Sequence, residues 1–230
     1  GSALEPLWSR PIVTARPGDS LRSGQTRMQL VRLPAAAQAG LAALPHEVTR
    51  DQYAAFAAAT AREPARCRVR TGVTVRARTW DRPGFTQAGD HPVVCVTLDD
   101  ALAYAAWLGA RDGQAYRLPS AAEWQVIAGP APAGDACSAG RVACGGIEGT
   151  AAAASGPVGP LGLRGLHGNA REWLADCPGN DCSRRLSASA GWRDAPPQAG
   201  ARLPLDITRA FDDVGFRLVR DVRPAEVESR

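Results

Sequence analysis

The chain has 230 residues, a formal net charge of +4 and 45% hydrophobic residues, which is enough apolar material for one large domain or two small ones and excludes global disorder. Lysine is absent, so the 27 strong cations are all arginines, interleaved with 23 acidic residues. Nucleic-acid binding is not expected, because it would require several basic runs with interleaved aromatic residues, and residues 62–82 are the single dense arginine stretch. No apolar run approaches the length of a membrane span, so membrane attachment is expected only through a segment outside these 230 residues.

Three helices are predicted from the capping chemistry at their N-termini. Thr49, Thr97 and Ser120 each stand before a helical pattern, with a polar side chain three positions later that completes a capping box. The predicted helices follow as TRDQYAAFAAAT, LDDALAYAAWLGARDG and AAEWQVIAG, the second ending near Gly113 and the third at Gly129.

The rest of the chain predicts short strands and long irregular segments. Residues 62–82 alternate arginine with valine and threonine, which is typical of the solvated face of strands or of a hairpin. AYRLP (115–119) and VGFRLVR (214–220) predict short strands, and residues 130–162 predict an irregular surface segment. These elements together predict an irregular, loop-rich α+β domain in which disulfides compensate for the loop content.

Six cysteines indicate the redox environment. They are Cys67, Cys95, Cys137, Cys144, Cys177 and Cys182, with no CxxC pair and only three scattered histidines, which fits structural zinc poorly. Three disulfides are the preferred interpretation and imply a periplasmic or otherwise extracytoplasmic protein. Fifteen connectivities are open; local closure favours 137–144 and 177–182 and leaves 67–95. The alternative is six free buried thiols in a cytosolic protein.

Five motifs, in this order, resemble those of the formylglycine-generating enzyme, or sulfatase-modifying factor, family. They are Glu47–Phe56 (EVTRDQYAAF), His91–Val94 (HPVV) with Ala105–Leu108 (AAWL), Tyr116–Trp124 (YRLPSAAEW), Gly165–Trp173 (GLHGNAREW) and Gly215–Arg220 (GFRLVR). The resemblance implies a C-type-lectin-like α+β fold with little regular secondary structure. It places the domain at residues 41–222, with a poorly matching N-terminal segment (1–40) packed on it and a C-terminal tail (223–230). The motif tryptophans Trp107, Trp124 and Trp173 are expected in the core.

The resemblance also implies a test of catalytic competence. Active family members oxidise a target cysteine with a copper ion held by two cysteines, which lie two and seven residues after a tryptophan. The matching tryptophan is Trp192, so the two positions hold Asp194 and Ala199. No cysteine follows Cys182, and thiolates are the ligands that suit Cu(I). We therefore expect no copper and no catalytic residue in this chain.

Calcium is the second ion that the resemblance implies. The family's GNxxEW turn gives calcium a glutamate side chain and backbone carbonyls, which correspond to Glu172, Gly168 and Ala170. A further side-chain ligand is lost at Gly165, which water can replace because calcium takes six to eight oxygen ligands. The alternative is that Glu172 pairs with an arginine such as Arg171 or Arg217.

The cysteines resemble those of a bacterial branch of the family, in which such domains are fused to other modules. This favours a non-catalytic extracytoplasmic binding or sensing module, such as the outer domain of a membrane Ser/Thr kinase or part of a secretion-linked protein. One alternative is an enzyme with different metal-dependent oxidative chemistry on the same scaffold. Another is a ligand-binding protein diversified by a retroelement.

A peptide or protein ligand is expected where the family's substrate cleft would lie. The predicted ligand-binding residues are Trp192, Arg193 and Asp194, with Arg202 and Arg209 nearby. An exposed tryptophan beside arginines is typical of binding hot spots, and alanine at positions 193 and 194 is then expected to weaken binding without changing stability. The alternative is that Trp192 belongs to the core.

Overall fold

A computed structural model of the chain describes residues 20–23, 26–32, 40–70, 72, 78–130, 149–159, 161–194 and 202–222. Its elements are mixed and irregular: three helices and ten short strands, joined by long stretches without regular structure. This agrees with the predicted loop-rich α+β class. No helix within the described ranges is long and apolar enough to cross a membrane.

The three helices begin where the sequence predicts. They are α1 (Arg50–Thr60), α2 (Leu98–Asp112) and α3 (Ala121–Ala128), and each capping box is complete, with reciprocal side-chain and backbone hydrogen bonds. Helix α2 ends at Gly113, whose φ of 65° is the left-handed conformation that favours glycine at a helix end. Capping chemistry thus fixed all three N-termini.

Within the described residues, ten strands form three sheets. In chain order they are β1 (Ser20–Ser23), β2 (Thr26–Arg32), β3 (Gly40–Ala43), β4 (Cys67–Arg68), β5 (Arg171–Trp173), β6 (Arg184–Ala188), β7 (Leu203–Asp206), β8 (Ala210–Phe211), β9 (Val214–Gly215) and β10 (Val219–Val222). An antiparallel sheet has the order β1-β2-β3-β10, a second sheet has the order β7-β6-β5-β9, and β4 pairs in parallel with β8. In the second sheet only the β5–β9 pair is parallel.

Two predicted strands are only partly realised. The VGFRLVR segment contains β9 and the start of β10, separated by residues 216–218, so it serves two different sheets. AYRLP contributes a single bridge between Arg117 and Val219. Within residues 62–82, the described part forms β4 and isolated bridges, and residues 73–77 lie outside the described ranges.

The core lies between the helices and the two larger sheets. Tyr53 and Phe56 of α1, Tyr104 of α2 and Phe216 form a chain of edge-to-face and stacked rings with centroids 5.2–6.2 Å apart. A second apolar cluster packs α3 against β3 and β6. Of the motif tryptophans, Trp124 and Trp173 are buried, and Trp107 packs partly exposed against the first cluster.

Two of the predicted disulfides are confirmed. Cys67 is bonded to Cys95 and Cys177 to Cys182. The former links β4 to the segment before α2 in a small core of its own, and the latter closes the turn before β6. Such bonds persist in oxidising environments. Cys137 and Cys144 lie outside the described residues, so their pairing stays a prediction.

Candidate functional site

Residues 192–194 follow β6 and return the chain toward the start of β5. The backbone N–H of Trp192 donates to the carbonyl of Asn169 (2.9 Å), and the N–H of Arg171 donates to the carbonyl of Asp213 (2.8 Å). These contacts hold three separate segments together: the turn before β5, the turn after β6 and the turn between β8 and β9. The predicted ligand-binding residues therefore lie at a junction fixed by backbone hydrogen bonds.

Asp194 is a buried carboxylate shared by two arginines. Its side chain is 2% exposed; one oxygen accepts from Arg70, and the other accepts from Arg171 Nε at 2.7 Å and from the backbone N–H of Gly191 at 2.8 Å. Breaking a buried pair of this kind leaves uncompensated charge. We therefore now expect a substitution at position 194 to reduce stability, in contrast to the expectation from the sequence.

Two further carboxylates extend this arrangement. Asp212 accepts two hydrogen bonds from Arg193 (3.0 and 2.7 Å) and one from Arg78 (2.7 Å). Asp213 accepts from Arg70 Nε at 2.8 Å. We call this set the aspartate–arginine cluster: Asp194, Asp212, Asp213, Arg70, Arg78, Arg171 and Arg193. Four arginines against three aspartates give the cluster a formal charge of +1 (4 − 3).

Burial disfavours the charged form of three groups in the cluster, Arg70, Arg171 and Asp213. It lowers the pKa of Arg171, and it raises the pKa of Asp213 to about 6, against the opposing attraction of Arg70. Burial also disfavours the charge of Arg70, but the neighbouring Asp213 and Asp194 outweigh it and raise the pKa of that guanidinium. The ion pairs, and not solvent, keep these groups charged.

Trp192 is buried, with 5% of its surface exposed, so the expectation of an exposed tryptophan is wrong. Its ring packs edge-to-face on Phe85 (centroids 4.8 Å apart), and its indole N–H donates to the carbonyl of Asp212 (3.0 Å). Arg193 stacks over the same ring at 3.9 Å and keeps 24% of its side chain exposed. Of the three predicted residues, Arg193 is the one that reaches the surface.

The two arginines expected nearby belong to other contacts. Arg202 donates to the carbonyl of Ala121 and to Gln125, both on α3, and Arg209 pairs with Asp206 at 3.0 Å. Sequence reasoning missed the partners that the cluster does use, Asp212, Asp213, Arg70 and Arg78. The signals in the sequence are the FDD triplet before VGFR and the arginine-rich stretch at residues 62–82. The alternation in that stretch predicts a solvated face, which is wrong for Arg70 and Arg78.

Glu172, the predicted calcium ligand, forms a wholly buried ion pair with Arg217. The guanidinium donates to both carboxylate oxygens, the shortest contact being 2.9 Å, and the indole N–H of Trp124 donates to one of them at 3.0 Å. Glu172 thus pairs with Arg217, as the alternative interpretation of the sequence predicts. Arg217 also donates to the carbonyl of Leu44 at 3.0 Å and to the carbonyl of Arg164 at 2.5 Å, so its guanidinium is held by the backbone as well as by Glu172.

A second buried carboxylate, Glu47, lies beside this pair and was not predicted. It is 0% exposed, and neither of its oxygens has a hydrogen-bond partner of good geometry, although the Asn169 side chain lies close enough to favour the ionised form. Burial raises the pKa of Glu47 to about 8, opposed by Arg217 and assisted by the like charge of Glu172. A Cβ at Gly165 would lie 2.3 Å from Glu47 Oε2. The Glu47 carboxylate therefore fills the space of the side chain that is missing at position 165.

Glu47 and Glu172 are the groups here that could contribute oxygens to a hard cation. When both are ionised, they leave one negative charge in excess over Arg217 (1 − 2), and the two oxygens of Glu47 are buried and unpartnered. Within the described residues no three His, Cys, Asp or Glu side chains converge, so backbone carbonyls such as those of Gly168 and Ala170 would have to complete the oxygen shell.

The sequence matches the model of the sulfatase-modifying factor enzyme 1-like domain over residues 37–222. Among curated proteins, none matches. Similar solved structures include PvdO from Pseudomonas aeruginosa, with a TM-score of 0.75 and 22% identity over 91% of this chain and 100% of that one. The structure of CarF has a TM-score of 0.63 and 23% identity over 80% of this chain and 87% of that one. Treponema denticola variable protein 1 has a TM-score of 0.61 and 16% identity over 88% of this chain and 98% of that one. At these identities the three structures show the fold alone.

Proposed function

Because the chain belongs to the sulfatase-modifying factor enzyme 1-like domain family, we propose that it is a non-catalytic, extracytoplasmic binding module on that family's scaffold. One observation carries the proposal: Asp194, at the position of the first copper cysteine, is an ion-paired and buried carboxylate. A carboxylate between two guanidinium groups is already neutralised, and it offers hard oxygen where Cu(I) requires soft sulfur.

The cysteines that the chain does contain support the same conclusion. The four that the structure describes are all in disulfides, so none of these four supplies a free thiolate. The disulfides also support an extracytoplasmic location, because cytosolic reductants would open them. The outer domain of a membrane kinase and a secretion-linked protein are two contexts for such a module.

The absence of the family's oxidative activity is directly testable. Incubation with Cu(I), oxygen and a peptide that carries a sulfatase-type target cysteine is expected to leave the cysteine unchanged by mass spectrometry. An active family enzyme assayed in parallel serves as the positive control. Aldehyde formation by this chain, at any rate that scales with its concentration, would overturn the proposal.

We assign the binding surface to Arg193 and its surroundings, with a peptide or protein as the ligand. Arg193 is preorganised, because Asp212 and the Trp192 ring fix its guanidinium, and rigid arginines beside aromatic rings are enriched where binding energy concentrates. The cluster's charge of +1 favours an acidic segment.

A displayed peptide library selected against the protein tests this surface. Selected peptides are expected to bind the Arg193→Ala variant at least tenfold more weakly and the Arg82→Ala variant equally well, since Arg82 is 83% exposed and outside the cluster. Selected peptides that bind both variants alike would place the binding surface elsewhere. Thermal unfolding of each variant verifies that it is folded.

A further inference from the structure

A cleft of about 440 Å³ opens on the face formed by β4 and the turn after β7, and the function proposed above does not use it. It is lined by Ala65, Arg66, Arg68, Asp206, Thr208 and Arg209. Ligand sites usually have volumes of roughly 300 to 1,000 Å³, so the cleft has room for a small organic molecule as well as for a single ion.

The charge of the lining is positive. Three arginines and one aspartate give +2 (3 − 1). The aspartate already has partners within the protein. Asp206 pairs with Arg209 at 3.0 Å and accepts hydrogen bonds from the N–H and the hydroxyl of Thr208 at 2.9 and 2.7 Å. These Thr208 hydrogen bonds lower the pKa of Asp206, so it stays ionised and holds Arg209 in place.

Arg66 and Arg68 are the two arginines of the lining whose charge has no acidic partner among the described residues. Both are exposed, and neither makes an ion pair with any residue in the part of the chain that the structure describes. Their neighbours in the arginine-rich stretch differ: Arg62 pairs with Asp99 and Asp100, while Arg70 and Arg78 enter the aspartate–arginine cluster.

The backbone beneath these two arginines is well anchored. Cys67 lies between them, wholly buried and disulfide-bonded to Cys95, and β4 pairs with β8 through Cys67–Ala210 and Arg68–Phe211. The N–H of Asp212 also donates to the carbonyl of Arg68 (3.0 Å). Two arginines flanking an anchored residue are presented at a fixed spacing, which reduces the entropy lost when a ligand orders them.

We propose that this cleft binds an oxyanion group, a carboxylate or a phosphate, of the module's ligand. Arg66 and Arg68 donate to the anion, Arg209 adds positive charge, and Thr208 lies at the rim. The planar guanidinium matches both anions in bidentate geometry, so the shared chemistry is that of an oxyanion. The inference deepens the proposed binding function and rests on it for its physiological meaning, but it involves none of the residues of the aspartate–arginine cluster.

Isothermal titration calorimetry at low ionic strength, with inorganic phosphate and citrate as probes, tests the site. We expect saturable binding of at least one probe, weakened by added NaCl because exposed charges are screened. The double variant Arg66→Gln, Arg68→Gln is expected to bind at least tenfold more weakly, about 1.4 kcal/mol. Preference for phosphate would indicate a phosphorylated ligand, and preference for citrate a carboxylate ligand.

The matched control removes the same two charges elsewhere. Arg82→Gln with Arg111→Gln takes two exposed arginines away from positions outside the cleft and is expected to bind within twofold of the parent. The single Arg66→Gln variant keeps the test available if the double variant unfolds. Absence of saturable binding by both probes, or equal loss in the control, would overturn the inference. Neither result bears on the aldehyde assay, which tests the proposed function separately.

Discussion

Replacing Asp194 by asparagine is expected to lower the free energy of unfolding by about 3–5 kcal/mol, because it removes one charge from a buried ion-pair network and keeps the shape. The carboxylate is shared by Arg70 and Arg171, and the Arg171 side chain is 0% exposed. The site is so deeply buried that water cannot easily solvate the guanidinium groups that lose their partner. Urea unfolding at neutral pH measures the effect, with the midpoint and the slope fitted separately.

The matched control is Asp99→Asn, the same chemical change in an exposed ion pair. Asp99 pairs with Arg62 at the start of α2, and its side chain is 79% exposed. Surface pairs of this kind contribute at most about 1 kcal/mol. If the two variants lose equal stability, Asp194 is not a structural centre, and the segment is available for a ligand after all.

Local rules made much of the fold predictable. Capping boxes at Thr49, Thr97 and Ser120 act within a few residues, so their signal is complete in the sequence, and all three helices begin there. The short separation of Cys177 and Cys182 likewise made their pairing predictable. The local elements together also predicted the loop-rich α+β class, and the family motifs added the particular scaffold.

The site was less predictable, because its contacts join residues far apart in sequence. Arg70 reaches Asp194 across 124 residues and Asp213 across 143. Alternation of arginine with valine and threonine is the same whether an arginine faces water, as Arg68 does, or a buried carboxylate, as Arg70 does. The sequence left two placements of Trp192 open for a related reason: it does not show that Phe85 and Asp212 surround its ring, which lies in the core as the alternative interpretation has it.

The stability of the protein without divalent cations is expected to fall as pH rises from about 5 to 8, through Glu47. Burial raises the folded-state pKa of Glu47 from an ordinary 4.5 to about 8. The folded state therefore binds the proton more tightly than the unfolded state, so this stabilisation is full below pH 4.5 and is lost as the folded group ionises. One proton corresponds to a slope of about 1.4 kcal/mol per pH unit.

Glu47→Gln isolates this effect from other titrating groups. Glutamine has nearly the shape of the protonated acid, so the variant is expected to lack the part of the decline that Glu47 causes and to exceed the parent in stability at pH 8 by a few kcal/mol. The smaller decline from Asp213, whose pKa burial raises to about 6, is common to both proteins. Urea unfolding at pH 5, 6.5 and 8 in EDTA gives the two curves. Arg217, Glu172 and His46 are present in both proteins, so their contributions to stability largely cancel in the difference. The control for the loss of a charge is Glu63→Gln, which changes an exposed glutamate. Its free energy of unfolding should depend on pH in the same way as that of the parent.

Calcium is expected to reverse the decline if the calcium site that the family resemblance implies lies at Glu47 and Glu172. A divalent cation that binds only the folded state stabilises it in proportion to the logarithm of its concentration, and it competes with the proton for the unpartnered oxygens of Glu47. In millimolar calcium the parent should therefore gain more melting temperature at pH 8 than at pH 5, and Glu47→Gln should gain little at either. Equal gains in the parent and in Glu47→Gln would show that calcium binds elsewhere. A parent that declines with pH but ignores calcium would leave Glu47 as a buried acid without an ion.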